Sequence, residues 1–300
     1  MAIENRAMRI AFIGVGAMGA PMAERLLAAG HALTVFDVDA AATQPLVARG
    51  ARVASSARAA VAGAQTAFAC LPSPAVSRQV AQEVAGAEGL GTYIETSTIG
   101  TAAVKAIAQT LQGISFIDAP VSGGPRGARA GTLSTMVSGE RAAFERARPL
   151  LEAIAGKVFY MGAAPGLGQI TKLANNMISA AGMAAACEAA VLAVKAGVDA
   201  STLIDAINAG TGRNSATQDK FPQSILPRTF DYGGKLQTMY KDVQLCFEEA
   251  RAMEVPMWVG ASVVQLWFQA MVEGRAQDDY TTLIRMIEGW SGVTVEGRRA

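Results

Sequence analysis

Through the first half of the chain, short apolar runs alternate with stretches of helical period. RIAFI at 9–13, ALTVFDVD from Ala32, AFACL at 67–71, TYIETST at 92–98 and ISFIDAP at 114–120 predict strands. GTLSTMVSG, from Gly131, predicts another between turns. Residues 20–30, 73–85, 101–111 and 140–154 predict the intervening helices, and KVFYMG closes the segment. Strands alternating with helices imply an α/β fold with a mostly parallel sheet. After Gly162, AAPGLG reads as a linker. From there the period is helical: about 169–196, then 201–209, 235–253, 257–273 and 279–289. The pattern predicts two domains, 1–165 and 166–300, joined by a helix about 42 Å long at 1.5 Å per residue.

That joining helix holds one charge. Between Lys157 and Glu188, Lys172 is the only charged side chain, set among Ala, Leu, Ile and Met. Burial disfavours a charged amine and draws it toward the pH at which it both gives and takes a proton. Asn175 and Asn176 follow at i+3 and i+4, on the lysine's face. A buried amine with two aligned amides is a candidate site for general acid–base chemistry.

The first predicted strand runs into Gly14-Val15-Gly16-Ala17-Met18-Gly19 and then a helix. Such a turn lets the backbone approach a pyrophosphate at a helix N-terminus. Asp37, at the end of the next strand, is placed to grip a ribose 2′-hydroxyl. Val38, Asp39 and Ala40 follow it, with no Arg or Lys for a 2′-phosphate. The reading is an NAD site, with NADP possible. Ligands gather beyond the strand C-termini of such sheets, where Leu71-Pro72, Ser97-Thr98 and Ala119–Ser122 lie. Residues 122–131, SGGPRGARAG, read as a Gly-rich loop that cradles an anion with backbone N–H groups and the Ser122 hydroxyl.

Composition narrows the partners. The 26 basic and 25 acidic residues leave a net charge of +1, which invites neither nucleic acid nor a membrane surface. Three scattered cysteines form no metal-type pair, so no metal is expected. They fit a reduced, cytoplasmic protein, and the N-terminus shows no cleavable apolar segment. The single histidine, His31, sits where a helix ends and a strand begins, so proton chemistry falls to another residue.

Four motifs in order then resemble the β-hydroxyacid dehydrogenases, of which the 3-hydroxyisobutyrate dehydrogenases are the best-known type. They are IAFIGVGAMGAPMA, IDAPVSGGPRGARAGTLSTMVSG, GLGQITKLANN and Tyr240-Lys241-Asp242, and they span nearly the whole chain. The resemblance implies an N-terminal Rossmann-type doubly wound sheet and an all-α C-terminal domain with the cleft between them. It makes Lys172 catalytic and gives Asn176, with Asn175, the task of orienting substrate. It assigns Ser122, Gly123 and Gly124 to the substrate carboxylate. It assigns Thr98, Lys241 and the backbone at Leu71 and Pro72 to the cofactor. Arg213 and Asn214 resemble the family's substrate wall. Glu95 stands where the family usually has Asp. Separately, the long apolar helix with Trp258, Trp267 and Phe268 suggests subunit packing in a homodimer or homotetramer, a buried monomer core being the alternative. The implied reaction interconverts a small 3-hydroxy acid and its semialdehyde. Tartronate-semialdehyde (2-hydroxy-3-oxopropionate) reduction and imine reduction are the alternatives. Lys172 argues against the latter, because many imine reductases replace it. The related 6-phosphogluconate dehydrogenases have a much larger helical domain.

Overall fold

The computed structural model describes residues 7–298. The first six residues, part of the segment in which no cleavable stretch was seen, lie outside it. The chain forms two compact units, Met1–Lys172 and Leu173–Ala300.

The first unit is built on a nine-stranded sheet. Its elements are β1 (Arg9–Ile13), α1 (Gly19–Ala28), β2 (Ala32–Phe36), α2 (Ala40–Val47), β3 (Arg52–Val53), α3 (Ala57–Val61) and β4 (Thr66–Ala69). There follow α4 (Pro74–Val84), β5 (Thr92–Glu95), α5 (Thr101–Thr110), β6 (Ser115–Asp118), β7 (Val121–Ser122), α6 (Gly124–Ala130), β8 (Ser134–Ser138), α7 (Arg141–Ile154) and β9 (Lys157–Gly162). The strand order is β3-β2-β1-β4-β5-β6-β8-β7, with β9 paired to β8. Every pair from β3 to β6 is parallel, whereas β8 runs antiparallel to β6 and β7. This is the doubly wound arrangement. Its order reverses between β1 and β4, the switch point where such sheets take ligands.

Strand alternation sorts the core onto two faces. Ile10 and Phe12 pack with α1 and α7, among Met22, Leu26, Phe144 and Leu151. Ala11 and Ile13 face α3, α4 and α5, among Val61, Val84 and Ile107. The observed strands end earlier than their apolar runs. β2 stops at Phe36 and β5 at Glu95, because the residues beyond turn away to serve loops. The segment 40–61, unassigned from sequence, supplies α2, β3 and α3.

One expectation is corrected. Residues 122–131 are not an open loop: Ser122 ends β7 and Gly124–Ala130 is helical. Gly123 enters the turn at φ +129°, a Pro sits in the first turn, and Gly131 closes the helix in the left-handed region. Those are start and stop signals for a helix, and they outweigh the glycine content.

Helix α8 (Leu167–Lys195) starts two residues before its expected position and continues unbroken for 29 residues. By length and apolarity it would pass for a membrane span. In the second unit it is a core element, with Met177, Ala180, Met183, Cys187, Ala190 and Val191 on one buried face. The remainder is α9 (Ala200–Ala209), a π-helix (Ala216–Ile225), α10 (Leu236–Ala252), α11 (Trp258–Val272), a 3₁₀ turn (Tyr280–Thr282) and α12 (Leu283–Ser291). The π-helix was not foreseen, and the helix expected from 279 begins with the 3₁₀ turn. Trp267 is buried in this unit's core, whereas Trp258 is exposed.

Candidate active site

The glycine turn joins β1 to α1, and its three glycines have different physical reasons. Gly14 lies at φ +87°, and a Cβ there would sit 2.3 Å from the Cys70 carbonyl oxygen. A Cβ on Gly19 would fall 1.9 Å from the Gly14 oxygen. Both glycines are therefore required by the fold. A Cβ on Gly16 would meet no protein atom within 4 Å. The bare backbone at Gly16 thus fits a ligand that approaches the main chain, as a pyrophosphate does.

Asp37 follows β2 and braces this turn. Its Oδ2 accepts the Val15 N–H at 2.8 Å, and its Oδ1 accepts the Asp39 N–H at 2.9 Å. Asp39 in turn caps α2 by accepting the Ala41 N–H. The carboxylate expected to hold a ribose is thereby fixed beside the glycine turn.

The loops after β4 and β5 are stitched together. The Leu71 N–H donates to Ser97 Oγ at 2.6 Å, and Ser97 Oγ–H donates to Glu95 Oε1 at 2.5 Å. The Ser97 N–H reaches the same oxygen at 3.0 Å. Glu95 is fully buried at the end of β5, in register with Asp118 on β6. Burial pushes the Glu95 carboxyl up to about 7, against the pull of the Ser97 hydrogen bonds. Burial also pushes Asp118 up to about 6, opposed by donors from Gln169 and Ser138. Leu71, Pro72 and Thr98 flank these contacts.

Ser122 pairs through β7 with Ser134 of β8. Gly123 abuts Leu133: an added Cβ would meet its Cδ2 at 3.0 Å. Gly124, at φ +63°, has open space. Arg126 and Arg129 point outward and are exposed.

Lys172 is 7% exposed in α8, as its setting predicted. One turn on, Asn176 is buried as well, whereas Asn175 is exposed. Within the second unit, Asn176 Nδ2–H donates to Asp242 Oδ2 at 2.6 Å, and Asn175 Nδ2–H donates to Asn176 Oδ1. Lys241 Nζ lies 2.9 Å from Asp242 Oδ1. The Lys-Asp pair of α10 therefore orients the second asparagine. Asn214 uses its side-chain oxygen to accept the Ala216 and Thr217 N–H groups at the start of the π-helix. His31 is buried and its Nδ1 accepts the Met8 N–H. Burial lowers it, which fits a structural histidine.

Sequence reading missed the residues that hold this apparatus, chiefly Asp118 and Gln169. A carboxylate closing the apolar strand SFID, and a glutamine one helical turn before Lys172, were the available signals.

Residues 9–162 match the NAD-binding domain of 6-phosphogluconate dehydrogenase. Residues 166–287 match a family described as NAD-binding of NADP-dependent 3-hydroxyisobutyrate dehydrogenase. The NAD-dependent L-serine dehydrogenase of Pseudomonas aeruginosa is 38% identical over 95% of this chain and 99% of its own. The 3-hydroxyisobutyrate dehydrogenase of the same organism is 35% identical over 93% of this chain and 98% of its own. A solved structure of Mycobacterium tuberculosis 3-hydroxyisobutyrate dehydrogenase with L-serine superposes with a TM-score of 0.85 at 33% identity. It covers 94% of this chain and 99% of that one.

Proposed function

The chain belongs to the β-hydroxyacid dehydrogenases of the 3-hydroxyisobutyrate dehydrogenase type, NAD(P)-dependent enzymes acting on CH–OH groups. From that premise we propose that it oxidises a small 3-hydroxy acid to its semialdehyde with NAD, using Lys172 as general acid–base. The observation that carries this is the placement of Lys172, buried on a rigid helix one turn from an asparagine that Asp242 holds in place.

The Gly14–Gly19 turn, Asp37, the Leu71–Pro72 backbone, Thr98 and Lys241 would hold the cofactor. When bound, NAD supplies the acceptor for the hydride that leaves the carbinol carbon. Lys172 Nζ, neutral at that moment, takes the hydroxyl proton as the C=O bond forms. In reduction its ammonium returns the proton to the carbonyl oxygen. Such help contributes about 10²–10⁴-fold. Asn176 orients the hydroxyl. Ser122, Gly123 and Gly124 bind the carboxylate, and this remote binding energy positions the reacting carbon.

The named relatives support two first substrates, L-serine and 3-hydroxyisobutyrate, which share one carboxylate and one primary carbinol. The test is a panel of these acids with NAD and NADP, followed at the absorbance of the reduced cofactor. Tartronate semialdehyde and a cyclic imine are offered with NADH in the reverse direction. Turnover of a hydroxy acid with NAD is expected, with Lys172→Met slower by about 10²–10⁴-fold. Turnover of the imine alone, or full activity in Lys172→Met, overturns the reading.

A further inference from the structure

Gln169 makes a full set of hydrogen bonds inside the first unit, one turn before Lys172. Its Oε1 accepts the N–H groups of Ile99 and Gly100, at 2.8 and 3.0 Å. Its Nε2 donates to the Ser97 carbonyl at 3.0 Å and to Asp118 Oδ1 at 2.7 Å. An amide has two acceptor sites and two donors, and all four are used. Asp118 is as fully engaged. Its Oδ2 accepts the N–H groups of Gly166 and Gln169 and the Ser138 hydroxyl. Gly168 packs tightly on the same carboxylate, since a Cβ there would meet Asp118 Oδ2 at 2.9 Å. All of these groups are buried.

A buried carboxylate with a buried amide is a costly way to begin a helix, because a Ser or Asp cap at the surface satisfies the same N–H groups. This arrangement does more than cap. It ties the first turn of α8 to the Ser97–Gly100 loop, whose other end is anchored through Ser97 to Glu95 and the Leu71 N–H. We propose that Gln169, held by Asp118, is a positioning residue for the reaction: it sets the Lys172 helix against the loop that carries Thr98. The inference rests on the assignment of Lys172 as proton carrier and of Thr98 to the cofactor. A displacement of about 1 Å between reacting groups can cost about 10²-fold in rate, so a clamp at this junction affects kcat.

Two variants test it. Gln169→Met keeps the side chain's shape and removes all four hydrogen bonds. Gln169→Glu keeps the acceptor toward Ile99 and Gly100 but sets a second carboxylate against Asp118. In the best substrate of the panel, Gln169→Met is expected to lower kcat by about 10²-fold with KM for the hydroxy acid unchanged. Val61→Ala, a core change in α3, serves as a control for stability loss and is expected to retain kcat. Gln169→Glu is expected to recover toward the wild-type rate as pH falls, because two carboxyls sharing one proton restore the missing donor. Glu95, in register with Asp118, and Lys172, one turn along α8, titrate in both proteins, so the pH response is read as the ratio of Gln169→Glu to wild type. Amide hydrogen exchange provides a readout without turnover: Ile99 and Gly100 should exchange faster in Gln169→Met and return toward normal in Gln169→Glu at low pH. Unchanged exchange, a kcat loss matched by Val61→Ala, or a Gln169→Glu defect indifferent to pH overturns the clamp. If Lys172→Met is inactive while Gln169→Met is normal, only the clamp fails. If Lys172→Met is fully active, the functional reading fails first.

Discussion

Glu95→Gln should stabilise the protein at alkaline pH and leave it unchanged in acid. Glu95 is fully buried at the end of β5, and its second carboxyl oxygen, Oε2, has only the nearby Ser77 hydroxyl to draw on, outside good hydrogen-bond geometry. Burial lifts its carboxyl from 4.5 to about 7, and the Asp118 carboxylate adds to the rise. Each pH unit is worth about 1.4 kcal/mol, so the ionised form is penalised by about 3 kcal/mol. The sign follows from proton linkage. Between about pH 4.5 and 7 the folded state binds the extra proton, so stability falls as pH rises through that window. Below it both states are protonated and the penalty vanishes. A glutamine keeps the acceptor for the Ser97 N–H and hydroxyl, carries no charge, and offers an N–H to the neighbouring Ser77 hydroxyl. The gain at pH 8 is therefore about 3 kcal/mol, or about 6–12 °C in Tm for a unit of this size. Calorimetric unfolding of both proteins at pH 4 and pH 8 measures it. A Tm difference that is the same at both values, or a less stable Glu95→Gln protein at pH 8, refutes the reasoning.

The glycine turn yields a paired prediction. Gly16→Ala should fold with wild-type Tm but bind NADH more weakly by fluorescence titration, because its Cβ meets no protein atom. Gly14→Ala should lose stability outright, since its Cβ overlaps the Cys70 carbonyl at φ +87°. Asp37→Ala removes the acceptor of the Val15 N–H. It should weaken NADH binding and cost about 1.5–3 kcal/mol in urea unfolding, the scale of a hydrogen bond to a charged group. In the second unit, Arg228 donates to both oxygens of Glu288, which also accepts the Val295 N–H. Arg228→Ala leaves a buried carboxylate unpaired and should cost about 3–5 kcal/mol by the same assay.

The chain by itself determined the alternation of the main strands and helices, the glycine turn and the position of Lys172. Each of these depends on local pattern: an apolar run of strand length, a glycine triplet between strand and helix, one charge in an apolar helix. Local pattern also misled once. The glycines of 122–131 read as a loop, whereas a positive-φ entry at Gly123 and a left-handed stop at Gly131 enclose a helix. The β8 strand's reversal against β6 and β7 was equally invisible, because a strand's direction depends on its neighbours and not on its own residues. The residues that hold the site belong to tertiary structure alone. Gln169 contacts residues about seventy positions away, Asp118 reaches forward to the start of α8, and Asp242 fixes Asn176 across 66 positions. No window of sequence contains both partners of such a bond. The chain therefore offered the residues proposed to carry the chemistry, while only the folded structure showed which groups hold them in place.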